Sequence, residues 1–158
     1  MLVVWQQLQS LYEKIPEGVK VEVFMGWRGV ETVYINLLDI AKRNEEVHII
    51  GAGTAKEEKK LELFYTKYGR MAFKKRLKIK VIFNENARGY IENIEKNINR
   101  NYNKRFLFDY TPTEILIFRD VTAIVFRRDD PIITLIRDRE TANSFIKYFR
   151  ELWKIAKK

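Results

Sequence analysis

The sequence predicts a single α/β domain with a mixed, largely parallel sheet and helices on both faces. Two observations indicate this fold class. Short apolar runs that suit buried strands alternate with amphipathic helical patterns, and a series of strand patterns followed by one helix completes the chain. Neither an internal repeat nor a low-complexity linker divides the sequence, so we expect an N-terminal helix in residues 1–18 and one domain in residues 19–158.

The first part of the chain predicts alternating helices and strands. An amphipathic helix from Leu2 to Ile15 is ended by Pro16 and Gly18. The predicted strands are Val19–Phe24, Val47–Gly53 and Ile79–Asn84. Between them, apolar residues at helical spacing predict one helix after Gly26 and another that Thr54 and Glu57 open as a capping box. A further helix is expected around Ala87 and Ile91.

From Lys104 onward the pattern changes to strands. The predicted strands are Lys104–Asp109, Thr113–Asp120, Thr122–Arg128 and Pro131–Asp138. Asp138 is expected to cap a closing helix, because a carboxylate at this position can accept hydrogen bonds from free helix amides. The core face of that helix is predicted to be Ala142, Phe145, Ile146, Phe149 and Trp153.

Composition excludes several kinds of site. The chain has 158 residues, no cysteine and a single histidine, His48. Disulfides, thiolate zinc sites and cysteine nucleophiles are therefore excluded, and we predict no metal site and no cofactor. His48 lies in an apolar run and is expected to be structural. No apolar run approaches the roughly 20 residues that cross a bilayer, so we expect a cytoplasmic protein without a membrane partner.

The charge balance favours anionic partners. Lys and Arg number 30 against 21 Asp and Glu, which gives a net charge of +9. The stretch Gly69–Lys80 is rich in cations, and a helical face there could follow a phosphate backbone. The candidate nucleic-acid-binding residues are Lys67, Arg70, Lys74, Lys75 and Lys78. The alternative is an ordinary solvated helix surface.

Two loops that follow predicted strands are candidate ligand sites, because open α/β sheets bind ligands at the carboxyl ends of strands. In the first loop, Trp27 could stack on a sugar or base and Arg28 could hold a phosphate or carboxylate. In the second, Gly51, Gly53 and Thr54 precede a helix whose free amides suit an anion. The alternatives are a packed Trp with a solvated Arg, and a plain tight turn.

The stretch Thr113–Asp120, "TEILIFRD", resembles the HxKxxxxD motif of the phospholipase D superfamily. Thr113 stands at the His position, Ile115 at the Lys position and Asp120 at the Asp position. In that superfamily the histidine attacks phosphorus and the lysine neutralises developing charge. Threonine and isoleucine can do neither, so the resemblance implies that the chain is not an enzyme.

The order of elements also resembles the C-terminal effector domain of archaeal TrmB-like transcriptional regulators. Residues 23–53, 68–85 and 144–156 carry this resemblance. It implies a non-catalytic sensing domain for a sugar or phosphorylated metabolite and a homodimer. It also implies DNA binding through a winged-helix domain absent from this chain, with residues 1–18 as a remnant of the linker or the start of a stand-alone sensor. The candidate ligand-binding residues are Trp27, Arg28, Gly51, Gly53, Thr54, Asn84, Thr113 and Asp120.

Two other functions remain open on the sequence. The cationic stretch favours a nucleic-acid-binding protein, whose affinity would fall steeply with salt. A phosphodiesterase or nuclease of the phospholipase D superfamily could use residues outside the motif, and its turnover would be lost in Asp120→Asn.

Overall fold

A computed structural model describes residues 18–54, 58–97 and 102–158, and it shows an α/β fold. The strands are β1 (Lys20–Met25), β2 (Glu46–Ala52), β3 (Lys78–Phe83), β4 (Tyr102–Phe106), β5 (Thr113–Phe118), β6 (Val121–Phe126) and β7 (Ile132–Arg137). The helices are α1 (Gly26–Ile40), α2 (Glu58–Lys74), α3 (Arg88–Asn97) and α4 (Arg139–Ile155), and a 3-10 turn spans Glu85–Ala87. The predicted helix Leu2–Ile15 and Glu57 of the predicted capping box lie outside the described residues.

The seven strands form one mixed sheet in the order β1-β7-β6-β5-β2-β3-β4. The prediction of a mixed sheet is confirmed, but the prediction that it is largely parallel is wrong. Only β2 with β3 and β3 with β4 are parallel, while the other four pairs are antiparallel. The reason is the connections: α2 and α3 supply the crossovers that parallel strands need, whereas short turns join β5, β6 and β7.

The pairing brings many loops to one end of the sheet. Ile50 pairs with Ile115, and Thr113 pairs with Phe126. Strands β1 to β4 and β6 therefore finish at the end where β5 and β7 begin. We call this end the carboxyl end of the sheet.

Three clusters of buried side chains pack against the sheet, and two of them include residues of β5. In β5, Leu116 and Phe118 belong to a cluster with α1 and α2, whereas the alternating residues Ile115 and Ile117 pack in a cluster with α4. The predicted core face of α4 is confirmed, since all five of its residues pack in the second cluster. At the start of α4, Asp138 accepts hydrogen bonds from the Thr141 hydroxyl at 2.7 Å and amide at 2.8 Å, as predicted. These two bonds lower the pKa of Asp138.

His48 lies in β2 with most of its side chain buried. Its ring centroid is 4.6 Å from that of Phe149 in an edge-on contact. Across the described ranges, no three His, Cys, Asp or Glu residues come together as metal ligands would. In the same ranges, no helix combines the length and apolar character that crossing a membrane requires.

Candidate ligand site

Asn84 joins two loops at the carboxyl end of the sheet. It directly follows β3, and its side chain is fully buried. Its amide nitrogen donates to the carbonyl of Thr111 at 3.0 Å and lies 3.4 Å from that of Gly51. Its oxygen accepts from the Thr111 hydroxyl at 3.1 Å. Asn84 therefore ties the loop after β2 to the loop before β5, and both ends of its amide are satisfied within the chain.

Arg127 adds a buried ion pair to the same network. Its Nη1 donates to Glu114 at 3.2 Å, and the two side chains are only 6% and 3% exposed. Its Nη2 donates to the carbonyls of Gly51 at 2.7 Å and Thr111 at 2.6 Å. The second oxygen of Glu114 accepts from the Tyr34 hydroxyl at 2.7 Å. A buried ion pair persists only when such additional bonds compensate its desolvation.

Gly51 and Gly53 allow the chain to approach this network. Gly51 has a φ of +73°, and a Cβ there would lie 2.6 Å from the Thr113 carbonyl oxygen. A Cβ on Gly53 would lie 2.9 Å from the Asn84 amide nitrogen and 3.2 Å from Arg127. Both glycines thus give close packing within the protein. The structure favours the tight-turn alternative over an open anion site.

An aromatic chain links Trp27 to the network. Trp27 is partly buried near the start of α1, 6.1 Å from Phe64 between ring centroids, and Phe64 lies edge-on to Tyr34 at 4.8 Å. The Trp27 ring nitrogen is buried and has no hydrogen-bond partner among the described residues. Arg28, by contrast, is exposed on the surface of α1. The structure therefore brings Trp27 toward the predicted site and leaves Arg28 in solvent.

Asp120 lies at the opposite end of the sheet from the network that Asn84 and Arg127 form. It lies in the turn between β5 and β6, whereas Thr113 begins β5 at the other end. The length of β5 separates the two by at least about 17 Å. The carbonyl of Asp120 accepts from the Asp138 amide at 2.8 Å. Thr54 follows β2 at the carboxyl end, four residues before Glu58, the first described residue of α2.

The sequence predictions missed the charged centre of the network. Tyr34, Thr111, Glu114 and Arg127 were not predicted, although Glu114 lies inside the motif-like stretch. A signal was present, since Glu114 interrupts the apolar alternation of β5 at a position that is 2% exposed. A buried acid in a strand requires a cation or donors, and Arg127 follows the neighbouring strand.

Open space lies elsewhere, in a cleft of about 980 Å³ on the sheet face that carries α1 and α2. Its interior is apolar and includes Leu38, Ile49, Leu77 and Ile79. The cations among its described lining residues are Arg43, Arg70, Lys74, Arg76 and Lys78, and no Asp or Glu accompanies them. All five cations are exposed, so they form a positive rim around an apolar interior.

The five predicted nucleic-acid-binding residues occupy different positions in the structure. Arg70, Lys74 and Lys78 line the cleft, and Lys67 is exposed on α2 outside it. Lys75 lies apart from the other predicted cations, at the end of α1. Its ammonium donates to the carbonyls that end α1, at 2.9 Å for Ala41 and also to Leu38. Lys75 therefore caps a helix and is turned away from solution.

No protein-family model matches the chain, and its sequence matches no curated protein. Its structure is similar to that of TrmBL2, described as an archaeal chromatin protein with a novel mode of DNA binding, at 18% identity and a TM-score of 0.55. That match covers 98% of this chain, which spans 60% of TrmBL2.

Two other solved structures share the architecture. NucT from Helicobacter pylori is 13% identical, with a TM-score of 0.60 over 87% of this chain and 98% of its own. Phosphatidylserine synthase from Haemophilus influenzae Rd KW20 is 13% identical, with a TM-score of 0.54 over 90% of this chain and 40% of its own. At these identities the likeness concerns the fold alone. Together the matches support a phospholipase D-like fold for this chain.

Proposed function

We propose that this chain is a non-catalytic ligand-sensing domain of a TrmB-like transcriptional regulator. One observation carries the proposal: the motif-like strand β5 contributes Glu114 to a buried structural network with Arg127 and Tyr34. Ile115, at the lysine position, packs against the α4 cluster, and Thr113 presents its carbonyl to Gly51 and Thr111. Isoleucine can neither attack phosphorus nor stabilise an oxyanion, and threonine lacks the imidazole that serves as nucleophile in the motif.

The proposed ligand site is the cleft. Three of the predicted ligand-binding residues at the carboxyl end are Gly51, Gly53 and Asn84. They hydrogen-bond or pack against one another and Arg127, so they offer few free polar groups to a ligand. The cleft has the size of a small-molecule site and a rim without acids in its described lining. This rim supports a phosphorylated metabolite as the effector. A neutral sugar is the less favoured form of the proposal, because the interior is predominantly apolar.

Regulation requires that the ligand prefer one conformation or assembly. We include a homodimer and a cytoplasmic location in the proposal, with DNA reached through a separate winged-helix domain. The alternation of β5 side chains between the two core clusters supports helices on both faces of the sheet. A ligand in the cleft would contact α1 and α2 on one of these faces.

Denaturant unfolding with sugars, sugar phosphates and nucleotides at two salt concentrations tests the proposal. A ligand at 100 times its dissociation constant adds about 2.7 kcal/mol of stability. We expect such a shift from a phosphorylated compound, and we expect Arg70→Gln with Lys74→Gln to reduce it. Lys147→Gln, an exposed lysine on α4 outside the cleft, is the control. Equal loss in the control would contradict the assigned site.

Nucleic-acid binding is the second candidate, and the exposed cations of α2 favour it. Lys67, Arg70 and Lys74 are all exposed on this helix. A protein that uses them on phosphates would lose affinity for DNA steeply as salt rises. In this case Lys67→Gln would weaken DNA binding as much as Lys74→Gln. Binding of a metabolite, with no DNA binding at either salt concentration, would exclude the candidate.

Phosphodiesterase activity is the third candidate function, and turnover of a chromogenic phosphodiester tests it. The absence of turnover is expected from Thr113 and Ile115. Turnover that disappears in a Glu114→Gln variant that still folds would instead assign the buried network a catalytic role.

A further inference from the structure

We infer that the cleft binds an amphipathic anion, a molecule with an apolar chain or ring and one carboxylate or phosphate. This inference rests on the proposed function, because it names the chemical class of the effector for the same cleft. Three observations carry it: the apolar interior, the cationic rim and one buried hydroxyl.

The apolar interior selects the body of the ligand. Ile49 and Ile79 lie on the sheet floor of the cleft and are only partly buried, although both pack at the edge of the core. Phe73 on α2 also lines the cleft and is 61% exposed. An apolar ligand would remove this surface from water, which is the main source of affinity in such sites. A sugar phosphate would leave the same surface without a suitable partner.

The rim selects the charge of the ligand. Arg43 follows α1, Arg70 and Lys74 lie on α2, and Arg76 and Lys78 lead into β3. These five side chains come from three parts of the chain, and no acid among the described lining residues neutralises them. An anionic group at the mouth therefore meets cations from several directions.

Tyr68 supplies an independent indication of a polar ligand atom. This residue lines the cleft and is 4% exposed, and its buried hydroxyl lies near the Lys67 ammonium but makes no hydrogen bond of ordinary length and angle among the described residues. A buried hydroxyl without a partner is costly, so a ligand oxygen at this position would restore the missing bond. Burial raises the pKa of Tyr68 further above neutrality, and the nearby Glu31 acts in the same direction while Lys67 opposes them. The hydroxyl thus retains its proton and can donate to an anionic oxygen.

Isothermal titration calorimetry with dodecanoate, dodecanol and glucose 6-phosphate tests the class of ligand. Dodecanoate is used below its critical micelle concentration. We expect saturable binding of one dodecanoate per chain, and binding of dodecanol at least about tenfold weaker because it cannot use the rim. Equal affinity for dodecanol, or uptake of many molecules per chain, would overturn the inference. Binding of glucose 6-phosphate alone would overturn it while leaving the sensor function intact. Binding of DNA alone would overturn both.

Matched variants place the ligand within the cleft. Phe73→Ser and Tyr68→Phe should each weaken dodecanoate binding, the latter by about tenfold through loss of one charge-assisted hydrogen bond. Leu63→Ser is the control for Phe73, since Leu63 is 64% exposed on the same helix and does not line the cleft. Far-UV circular dichroism checks that the variants fold. Unchanged binding in folded Phe73→Ser and Tyr68→Phe, or equal loss in Leu63→Ser, would overturn the inference.

Discussion

The hydroxyl of Tyr34 donates a 2.7 Å hydrogen bond to Glu114, which is 80 residues away in the sequence. Tyr34 also lines the cleft, and Glu114 is the acidic half of the buried ion pair with Arg127. This one bond therefore connects the proposed ligand site to the network that holds the carboxyl end of the sheet. A ligand that moved Tyr34 would disturb the loops that Arg127 and Asn84 join.

Removal of either charge of the buried pair should destabilise the fold. Glu114→Ala or Arg127→Ala leaves the partner buried without compensation, which costs about 3–5 kcal/mol. Tyr34→Phe removes one hydrogen bond and should cost roughly 1–2 kcal/mol. Urea unfolding gives all three values. A double-mutant cycle between Glu114 and Arg127 should show strong coupling, and additive effects would contradict the direct pairing.

Gly51→Ala should destabilise the protein strongly. Its positive φ and the 2.6 Å approach of a Cβ to the Thr113 oxygen both oppose a side chain. We expect a loss of more than about 1 kcal/mol. Gly89→Ala is the matched control, because Gly89 lies in α3 with nothing within 4 Å of its Cβ position, and alanine there should be neutral or stabilising. Equal losses at both positions would contradict the close approach at Gly51.

Stability should increase as the pH rises toward 6.5 because of His48. Burial lowers the pKa of His48, Lys80 and Arg150 lower it further, and Glu46 opposes them. The unfolded chain therefore binds a proton between the lowered pKa and the ordinary value of 6.5, where the folded chain does not. Unfolding free energy then rises with pH through this window. His48→Gln, measured by urea unfolding at several pH values, should flatten the rise, since the chain has no other histidine. An identical slope in the variant would contradict this account.

Lys75→Met should weaken the end of α1 without affecting ligand or DNA binding. The ammonium of Lys75 satisfies carbonyls at this helix end, so its loss should cost roughly 1 kcal/mol. Lys74→Met, one residue earlier and exposed, should leave stability nearly unchanged and lower affinity for an anionic ligand. Thermal unfolding and titration separate the two effects. A loss of stability in Lys74→Met together with a loss of affinity in Lys75→Met would contradict the observed orientation of the two side chains.

Asp120→Asn should leave ligand binding unchanged. Asp120 lies at the opposite end of β5 from the network and does not line the cleft. Titration of the variant with the same phosphorylated compound or dodecanoate measures this directly. A marked loss of affinity with retained stability would return Asp120 to the ligand site.

Much of the secondary structure could be read from local patterns. The strand and helix periods predicted all seven strands, and Asp138 and the apolar stripe of α4 were identified correctly. These features depend on residues close together in the chain, where spacing reports which face is buried. The comparison of Thr113 and Ile115 with the His and Lys positions of the motif also used side-chain identity alone, and the resulting expectation of no phosphodiester chemistry stays a prediction.

Tertiary structure decided how these elements combine. Whether two strands run parallel depends on the route of the connection, and this made the sheet mostly antiparallel. The pairing of Glu114 with Arg127 and Tyr34 joins residues from three elements, which no local pattern contains. Likewise, Lys74 and Lys75 are two lysines side by side in the sequence. Lys74 lines the cleft and Lys75 caps α1, because the end of α1 lies next to the end of α2 in the folded protein. Local residue patterns were thus enough to predict the helices and strands, because their spacing reports which face is buried, whereas long-range packing set which polar groups are satisfied and where space for a ligand remains.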